Sequence, residues 1–433
     1  MPDLLIINPN SSTNYKDMDD LKAIEPPIWA AMMAHELRKQ GREVLVLDAN
    51  AQNLSPKMVA RLVEKINPLG ILVTVFGHNP TASTPLMPSA SAMCKEVKRV
   101  SKGFLSMFGT HSSALPDRTE KEVDIDEVVR GVVNRNLDKE LSGIAWDLLP
   151  MGSYRAHNWH CFGMGRQPYA SLYTSLGCPY TCDFCPIHAP LKKKKHSKWS
   201  PEWVIGQIET LVEKYGVKNI KIADELFLSD KKRVLRICNL IIKRDYDLNM
   251  WAYGRVDNCP PVVLERMKKA GFNWIGLGIE SGDEKVKGFK KGEAHKAVQN
   301  CRDAGINVNA NYMFGLPGDD LNSMKDTLGL ALELNTEFAN FYSCMAYPGS
   351  KLYELADPKD LPDSWEGYAQ YSYECKPLPT QYLSSAEVLA FRDQAFVTYF
   401  TNPKYLKMME NKFGKEVRTE ISNMKMIFER KIL

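Results

Sequence analysis

A chain of 433 residues is too long for one ordinary domain and points to two or three. Its 44% apolar and 25% charged residues are the profile of a globular protein, and a net charge of only +4 argues against a large nucleic-acid-binding face. No apolar run approaches the ~20 residues that span a bilayer, and Met1-Pro2-Asp3 lacks the basic-then-apolar order of a signal peptide, so the expected place is the cytoplasm. From the amino terminus, Leu4–Asn8 reads as a buried strand, Pro27–Gln40 as a helix begun at a proline and stopped by Gly41, and Glu43–Asp48 as a second strand. Pro56–Ile66 (helix), Gly70–Phe76 (strand), Ser89–Val100 (helix) and Gly103–Phe108 (strand) continue the alternation, with Val123–Gly131 as one more edge element. Such alternation predicts a parallel α/β sheet over residues 1–145. Its ligands would bind in the loops after the strand carboxyl ends: Asn8–Ser12, Asp48–Asn50, Phe76–Asn79 and Gly109–Ser112. No Gly-x-Gly-x-x-Gly or Walker loop supports a nucleotide there.

Residues 146–168 are aperiodic and read as a linker. A second alternation follows, with strands Ser171–Leu176, Ile220–Ala223, Met250–Tyr253, Trp274–Gly278, Val308–Phe314 and Phe338–Cys344. Helical patterns separate them at Pro201–Tyr215, Lys231–Arg244, Pro260–Ala270, His295–Ala304 and Leu321–Leu334. Six βα units predict a partial parallel barrel over residues 169–355, with its chemistry at the strand carboxyl ends. Residues 356–433 read as a mainly helical tail, and Lys192–Lys195 as a solvated charge run that could otherwise attract an anionic substrate or tRNA.

Of ten cysteines only three cluster, which fits metal binding in a reducing compartment better than a disulfide framework. They lie in Gly177-Cys178-Pro179-Tyr180-Thr181-Cys182-Asp183-Phe184-Cys185, a loop after a strand. Three thiolates can each take one iron of a four-iron–four-sulfur cluster and leave the fourth iron open to a substrate or cofactor. Zinc is the alternative, with His188 as a fourth ligand, but structural zinc favours paired Cys-x-x-Cys units. Cys161, Cys238, Cys259, Cys301, Cys344 and Cys375 most simply fill apolar space.

This Cys-x-x-x-Cys-x-aromatic-Cys run resembles the hallmark of the radical S-adenosylmethionine (SAM) superfamily. The resemblance implies that the amino and carboxylate groups of SAM chelate the open iron, and that reductive cleavage yields a 5′-deoxyadenosyl radical. It places Phe184 near the adenine and Asp224-Glu225, after the second strand, near the methionine amino group; an ordinary helix N-cap is the other reading of these acids. Arg255 of Arg255-Val256-Asp257 would pair with the methionine carboxylate. Glu280 and Ser281 of Gly278-Ile279-Glu280-Ser281-Gly282 would bond hydroxyls, and Gly315-Leu316-Pro317-Gly318 and Tyr347-Pro348-Gly349 complete the ordered series. An external electron donor such as flavodoxin or ferredoxin is implied as a partner.

The amino-terminal region resembles the cobalamin-binding domain that precedes the radical SAM barrel in one subclass. The resemblance rests on Leu47-Asp48-Ala49-Asn50-Ala51, Phe108-Gly109-Thr110-His111-Ser112, Val128-Val129-Arg130-Gly131 and Trp146-Asp147-Leu148-Leu149-Pro150. It implies α/β architecture throughout: a Rossmann-like, flavodoxin-type cobalamin-binding domain, a partial (β/α)6 barrel and a mainly helical tail. Cobalamin contacts fall on Asp48, Asn50, Gly109, Thr110, Ser112 and Arg130. His78 is a loop residue that either ligates cobalt or caps its loop. Two features depart from the subclass: the cobalt-ligating Asp-x-His-x-x-Gly motif is absent, and Gly131-Val132-Val133-Asn134 replaces an acidic Gly-Glu-x-Glu. The implied activity is methyl transfer to an unactivated carbon of a small molecule. A cobalamin-dependent cyclase or rearrangement enzyme, an RNA methylthiotransferase and a non-catalytic metal-binding protein are the alternatives.

Overall fold

The computed structural model describes residues 1–11, 22–77, 79–130, 142–191, 196–287, 291–424 and 426–433. The first sheet holds β1 (Leu4–Asn8), β2 (Val44–Asp48), β3 (Gly70–Val75), β4 (Phe104–Gly109) and the short β5 (Glu127–Val128). Every pairing is parallel and the order is β2-β1-β3-β4-β5, the doubly wound flavodoxin-like arrangement. Between the strands run α1 (Ile28–Lys39), α2 (Pro56–Ile66) and α3 (Ser83–Val100), with short α4 (Thr110–Ala114) and α5 (Pro116–Glu122) after β4. Alternation along the strands divides the core. Leu5, Ile7, Ile71, Val73, Leu105 and Met107 join one cluster with α2 and α3. Ile6, Leu72 and Phe108 turn to α1 and merge with the core of the rest of the chain.

The second sheet holds β6 (Tyr169–Leu172), β9 (Asn219–Ile222), β10 (Asn249–Arg255), β11 (Phe272–Glu280), β12 (Asn307–Phe314) and β13 (Phe338–Ser343), all parallel, in the order β13-β12-β11-β10-β9-β6. Its helices are α6 (Pro201–Glu209), α7 (Lys231–Arg244), α8 (Pro261–Lys269), α9 (Glu284–Lys287), α10 (Lys291–Asp303) and α11 (Leu321–Leu334), then α12 (Lys351–Leu355) after β13. The tail adds α13 (Ser385–Phe400), α14 (Pro403–Phe413) and α15 (Glu416–Ser422). No helix among the described residues is long and apolar enough to cross a membrane.

Three sequence expectations change. The strand expected over Ser171–Leu176 is two: β6 stays in the main sheet, while β7 (Ser175–Leu176) pairs antiparallel with β8 (Ser197–Lys198) and closes the cysteine segment into a loop. The helix expected from Ser89 begins six residues earlier, at Ser83. Pro85 sits in its first turn, where no amide is needed, and Pro88 is accommodated inside it.

The expected linker is a packed strap of three short 3₁₀ turns that buries Trp146, Tyr154 and Trp159. Its polar groups tie the two sheets together. Trp146 Nε1 donates to Gln207 Oε1 at 3.0 Å, Tyr154 OH donates to Asp48 Oδ2 at 2.9 Å, and Arg166 reaches the Lys22 carbonyl at 2.6 Å. The segment before α1 returns the contact, with Glu25 holding buried Lys221 of β9 at 2.9 and 3.0 Å. Buried donors and acceptors of this kind need partners, and here each partner lies across the junction.

Candidate active site

The cysteine loop starts where Gly177 (φ +81°) turns the chain out of β7, a left-handed conformation natural to glycine. Cys178, Cys182 and Cys185 are free, partly exposed thiols, whereas the other seven cysteines are free and buried. The Cys185 amide donates to the Cys182 carbonyl at 3.0 Å, and Leu352 of α12 donates to the Asp183 carbonyl at 2.9 Å. His188, the alternative zinc ligand, has Nε2 on the Tyr180 carbonyl at 2.9 Å. Burial pushes the Cys185 thiol up to about 12, so it is neutral unless a metal draws off its proton. Phe184 is half-buried and packs against a small cluster that includes Leu316, Cys344 and Ala346.

A cavity of about 250 Å³ opens beside this loop, with Phe184, Cys185, Glu225, Glu280 and Gln370 on its wall. The two neighbouring acids after β9 have separate jobs. Asp224 is fully buried and accepts from the Thr174 amide (2.5 Å), Thr174 Oγ1 (2.6 Å) and Ser175 Oγ (2.5 Å). It therefore pins the start of the cysteine loop and is not among the residues that line the cavity. Glu225 does line it: burial raises its carboxyl to about 8, the Gly177 amide supports it, and its Oε2 is buried with no hydrogen-bond partner. An orphaned carboxyl oxygen beside the cysteine loop suits a ligand carrying an amino group.

Glu280 reaches the cavity from the end of β11 with φ +67°, a conformation uncommon outside glycine and asparagine. Ser281 is buried; its Oγ lies 3.4 Å from Thr327 Oγ1 and accepts from the Asp283 amide, so it shapes the turn. The Arg255 guanidinium stacks 4.0 Å over the Tyr180 ring and forks onto Asp257 at 3.1 Å through two nitrogens, bracing the outer side of the loop.

The strand ends of the first sheet behave differently. Asp48 is fully buried, and its carboxylate accepts from Asn8 Nδ2, Tyr154 OH and the amides of Asn50 and Ala51. Asn50 lines a small cavity of about 70 Å³, and its Oδ1 accepts from Ser11 N and Oγ. At Gly109 a Cβ would lie 2.2 Å from the Val75 carbonyl, so that glycine serves strand packing. Thr110 and Ser112 are buried, and the Ser112 hydroxyl donates to the Gly109 carbonyl. Arg130 points outward onto Asp117 (2.6 Å) and Glu120 (3.3 Å). Asp48, Gly109, Ser112 and Arg130 thus each have a packing or hydrogen-bonding role within the domain. His78, Ser12, Gly131 and Lys192–Lys195 lie outside the described residues.

Three cavities adjoin between the sheets. The small one shares Ser11, Glu25 and Ala82 with a second of about 260 Å³, which shares Asn79, Thr81 and Tyr253 with the one beside the cysteine loop. The loop after β3, the second sheet and the tail residue Gln370 therefore line neighbouring cavities. Sequence reading missed Gln370, Glu25, Lys221, Asn309 and Asn340. The alternate polar positions Asn309 and Asn311 in an otherwise apolar strand were the available signal.

Comparison with known proteins agrees with this geometry. The profile of the Radical SAM superfamily matches residues 172–331, which hold the cysteine loop and four of the six strands of the second sheet. An uncharacterised methyltransferase of Pyrococcus horikoshii is 26% identical over 430 residues, covering 88% of this chain and 89% of that protein. The solved structure of OxsB, a cobalamin-dependent S-adenosylmethionine radical enzyme with aqua-cobalamin bound, aligns over 98% of this chain and 72% of its own, with a TM-score of 0.67 at 16% identity. The radical SAM methyltransferase TsrM from Kitasatospora setae, with cobalamin and a [4Fe-4S] cluster bound, covers 81% of this chain and 77% of its own, with a TM-score of 0.62 at 16% identity. At such identities the structures establish a shared fold. The chain thus carries a Radical SAM domain over residues 172–331, with the cysteine loop near its start.

Proposed function

We propose that this chain is a cobalamin-dependent radical SAM methyltransferase acting on an unactivated carbon of a small molecule. The observation that carries this reading is the row of adjoining cavities between the two sheets, with the cysteine loop beside one end and the strand ends of the first sheet beside the other. In this reading residues 1–145 are the cobalamin domain, 146–168 the strap, 169–355 a partial barrel and 356–433 the covering tail.

Cys178, Cys182 and Cys185 would hold a four-iron–four-sulfur cluster, and the partnerless Glu225 Oε2 fits the amino group of SAM. Cobalamin would lie against Asn50, Thr110 and the loop that contains His78, facing the second sheet. When bound, these groups supply a 5′-deoxyadenosyl radical for hydrogen abstraction and a methyl group for transfer. The chain's own part is to position and to exclude water. Phe184 and Tyr253 give the cavity apolar walls, Asp224 fixes the loop, and the tail closes the side through Gln370, whose amide is locked on Ser343 and Tyr347. Reducing equivalents would come from an external flavodoxin or ferredoxin in a reducing, cytoplasmic compartment.

Full-length protein, reconstituted anaerobically with iron, sulfide and hydroxocobalamin and then desalted, tests the reading. Retained corrin absorption, 5′-deoxyadenosine formation and a trideuteromethyl gain by a candidate metabolite, using SAM labelled in its methyl group, are expected. Loss of all corrin from protein that still makes 5′-deoxyadenosine would leave a cobalamin-independent radical enzyme in its place.

A further inference from the structure

We propose that Asn309 and Asn340 determine substrate specificity by reading an uncharged ring compound that presents a hydrogen-bond acceptor beside a donor, as a lactam edge does. The inference deepens the methyltransferase reading and rests on it for the identity of the cavity.

Asn309 and Asn311 lie two apart on β12, and Asn340 of β13 is the register partner of Asn311, so pleating puts all three on one face. Their amide orientations follow from one fixed point. Asn311 Nδ2 donates to the Leu277 carbonyl at 3.2 Å, which leaves its Oδ1 to accept from Asn340 Nδ2 at 2.9 Å. Asn340 Nδ2 also donates to Asn309 Oδ1 at 3.2 Å. Each amide is thereby oriented by its neighbour. What remains is one donor, Asn309 Nδ2, next to one acceptor, Asn340 Oδ1, and neither has a hydrogen-bond partner among the described residues. Asn309 is only 2% exposed, and both residues line the 260 Å³ cavity. A donor and an acceptor held in fixed order on the cavity wall favour a ligand that completes both.

Ring character and neutrality follow from the rest of the wall. Trp159, Trp251, Phe338, Tyr371 and Phe396 surround the amides, giving flat apolar surfaces on which a planar ring packs. The buried cation Lys221 is neutralised by Glu25, and Lys22, partly exposed on the same wall, is also engaged. Among the described residues a charged substrate would be desolvated there without a free counter-ion. The space equals that of roughly nine waters, about the size of a one- or two-ring compound.

Isothermal titration of the reconstituted full-length protein with 2-quinolone, 1-methyl-2-quinolone and quinoline-2-carboxylate tests the proposal. Saturable binding of 2-quinolone is expected, weakened at least tenfold by N-methylation and at least tenfold by Asn309→Leu or Asn340→Leu, because a site built to hydrogen-bond rejects the analogue that lacks the group. Equal affinity for the methylated probe, tighter binding of the carboxylate, or no saturable binding of any of the three overturns it. The wild-type ligand series decides the matter even if a variant fails to fold. Corrin retention and 5′-deoxyadenosine formation, read on the same samples, report separately on the underlying functional reading.

Discussion

The carboxyl ends of the two sheets face each other, yet they treat polar side chains in opposite ways. In the first sheet Asp48, Asn50 and Ser112 turn their oxygens onto neighbouring protein groups. In the second, Glu225 keeps an oxygen unpaired and three thiols stay free and partly exposed. The first edge is thus mostly paired within the protein, though His111 Nε2 and Ser113 Oγ stay buried without a partner, while the second keeps a carboxyl oxygen and three thiols available for chemistry. A ligand with large surface and few demands suits the former; a metal cluster and a chelating amino acid suit the latter.

Four experiments break or sharpen that contrast. The largest effect belongs to Cys178→Ala, Cys182→Ala and Cys185→Ala, each of which removes one iron's protein ligand. Iron and sulfide content and 5′-deoxyadenosine formation should fall to background, whereas Cys301→Ala should leave both unchanged. Next, Glu225→Gln removes an acceptor that an ammonium partner would draw into its charged form, a hydrogen bond worth about 1.5–3 kcal/mol. It should raise the Kd for SAM by roughly tenfold to a hundredfold, while cluster content and melting temperature hold. Should Glu225→Gln change stability and not SAM binding, the second edge is as self-contained as the first.

Tyr154→Phe tests the first edge. It leaves buried Asp48 one donor short, at a cost of about 1–3 kcal/mol. A lower melting temperature with unchanged iron content is expected, and a loss of iron with unchanged stability would reverse the assignment. The smallest effect is Arg130→Ala, because an exposed ion pair is worth about 0–1 kcal/mol. Corrin retention should be unaltered; its loss would show that Arg130 leaves its acidic partners to hold the cofactor.

Sequence patterning recovers the strands and most helices because buried parallel strands are apolar runs punctuated by turn residues. Pro56–Ile66, Lys231–Arg244 and Leu321–Leu334 match residue for residue. It fails on the strap, where Trp146, Tyr154 and Trp159 bury through irregular turns that have no period. At the site, the cysteine spacing is local and readable. The division of labour in Asp224-Glu225 is not, because it depends on Thr174 and Ser175 lying within reach across the fold. Likewise nothing in the order Asp48…Tyr154 announces a hydrogen bond spanning 106 positions.

That last bond bears on where the chain can be cut. An amino-terminal fragment ending at residue 150 keeps every strand of the first sheet but discards Tyr154, so the most buried carboxylate of the domain loses its phenol partner and gains access to water. Such a fragment would fail for a reason unrelated to its cofactor. A cut beyond the strap, near Pro168, would leave that tyrosine with the carboxylate it serves.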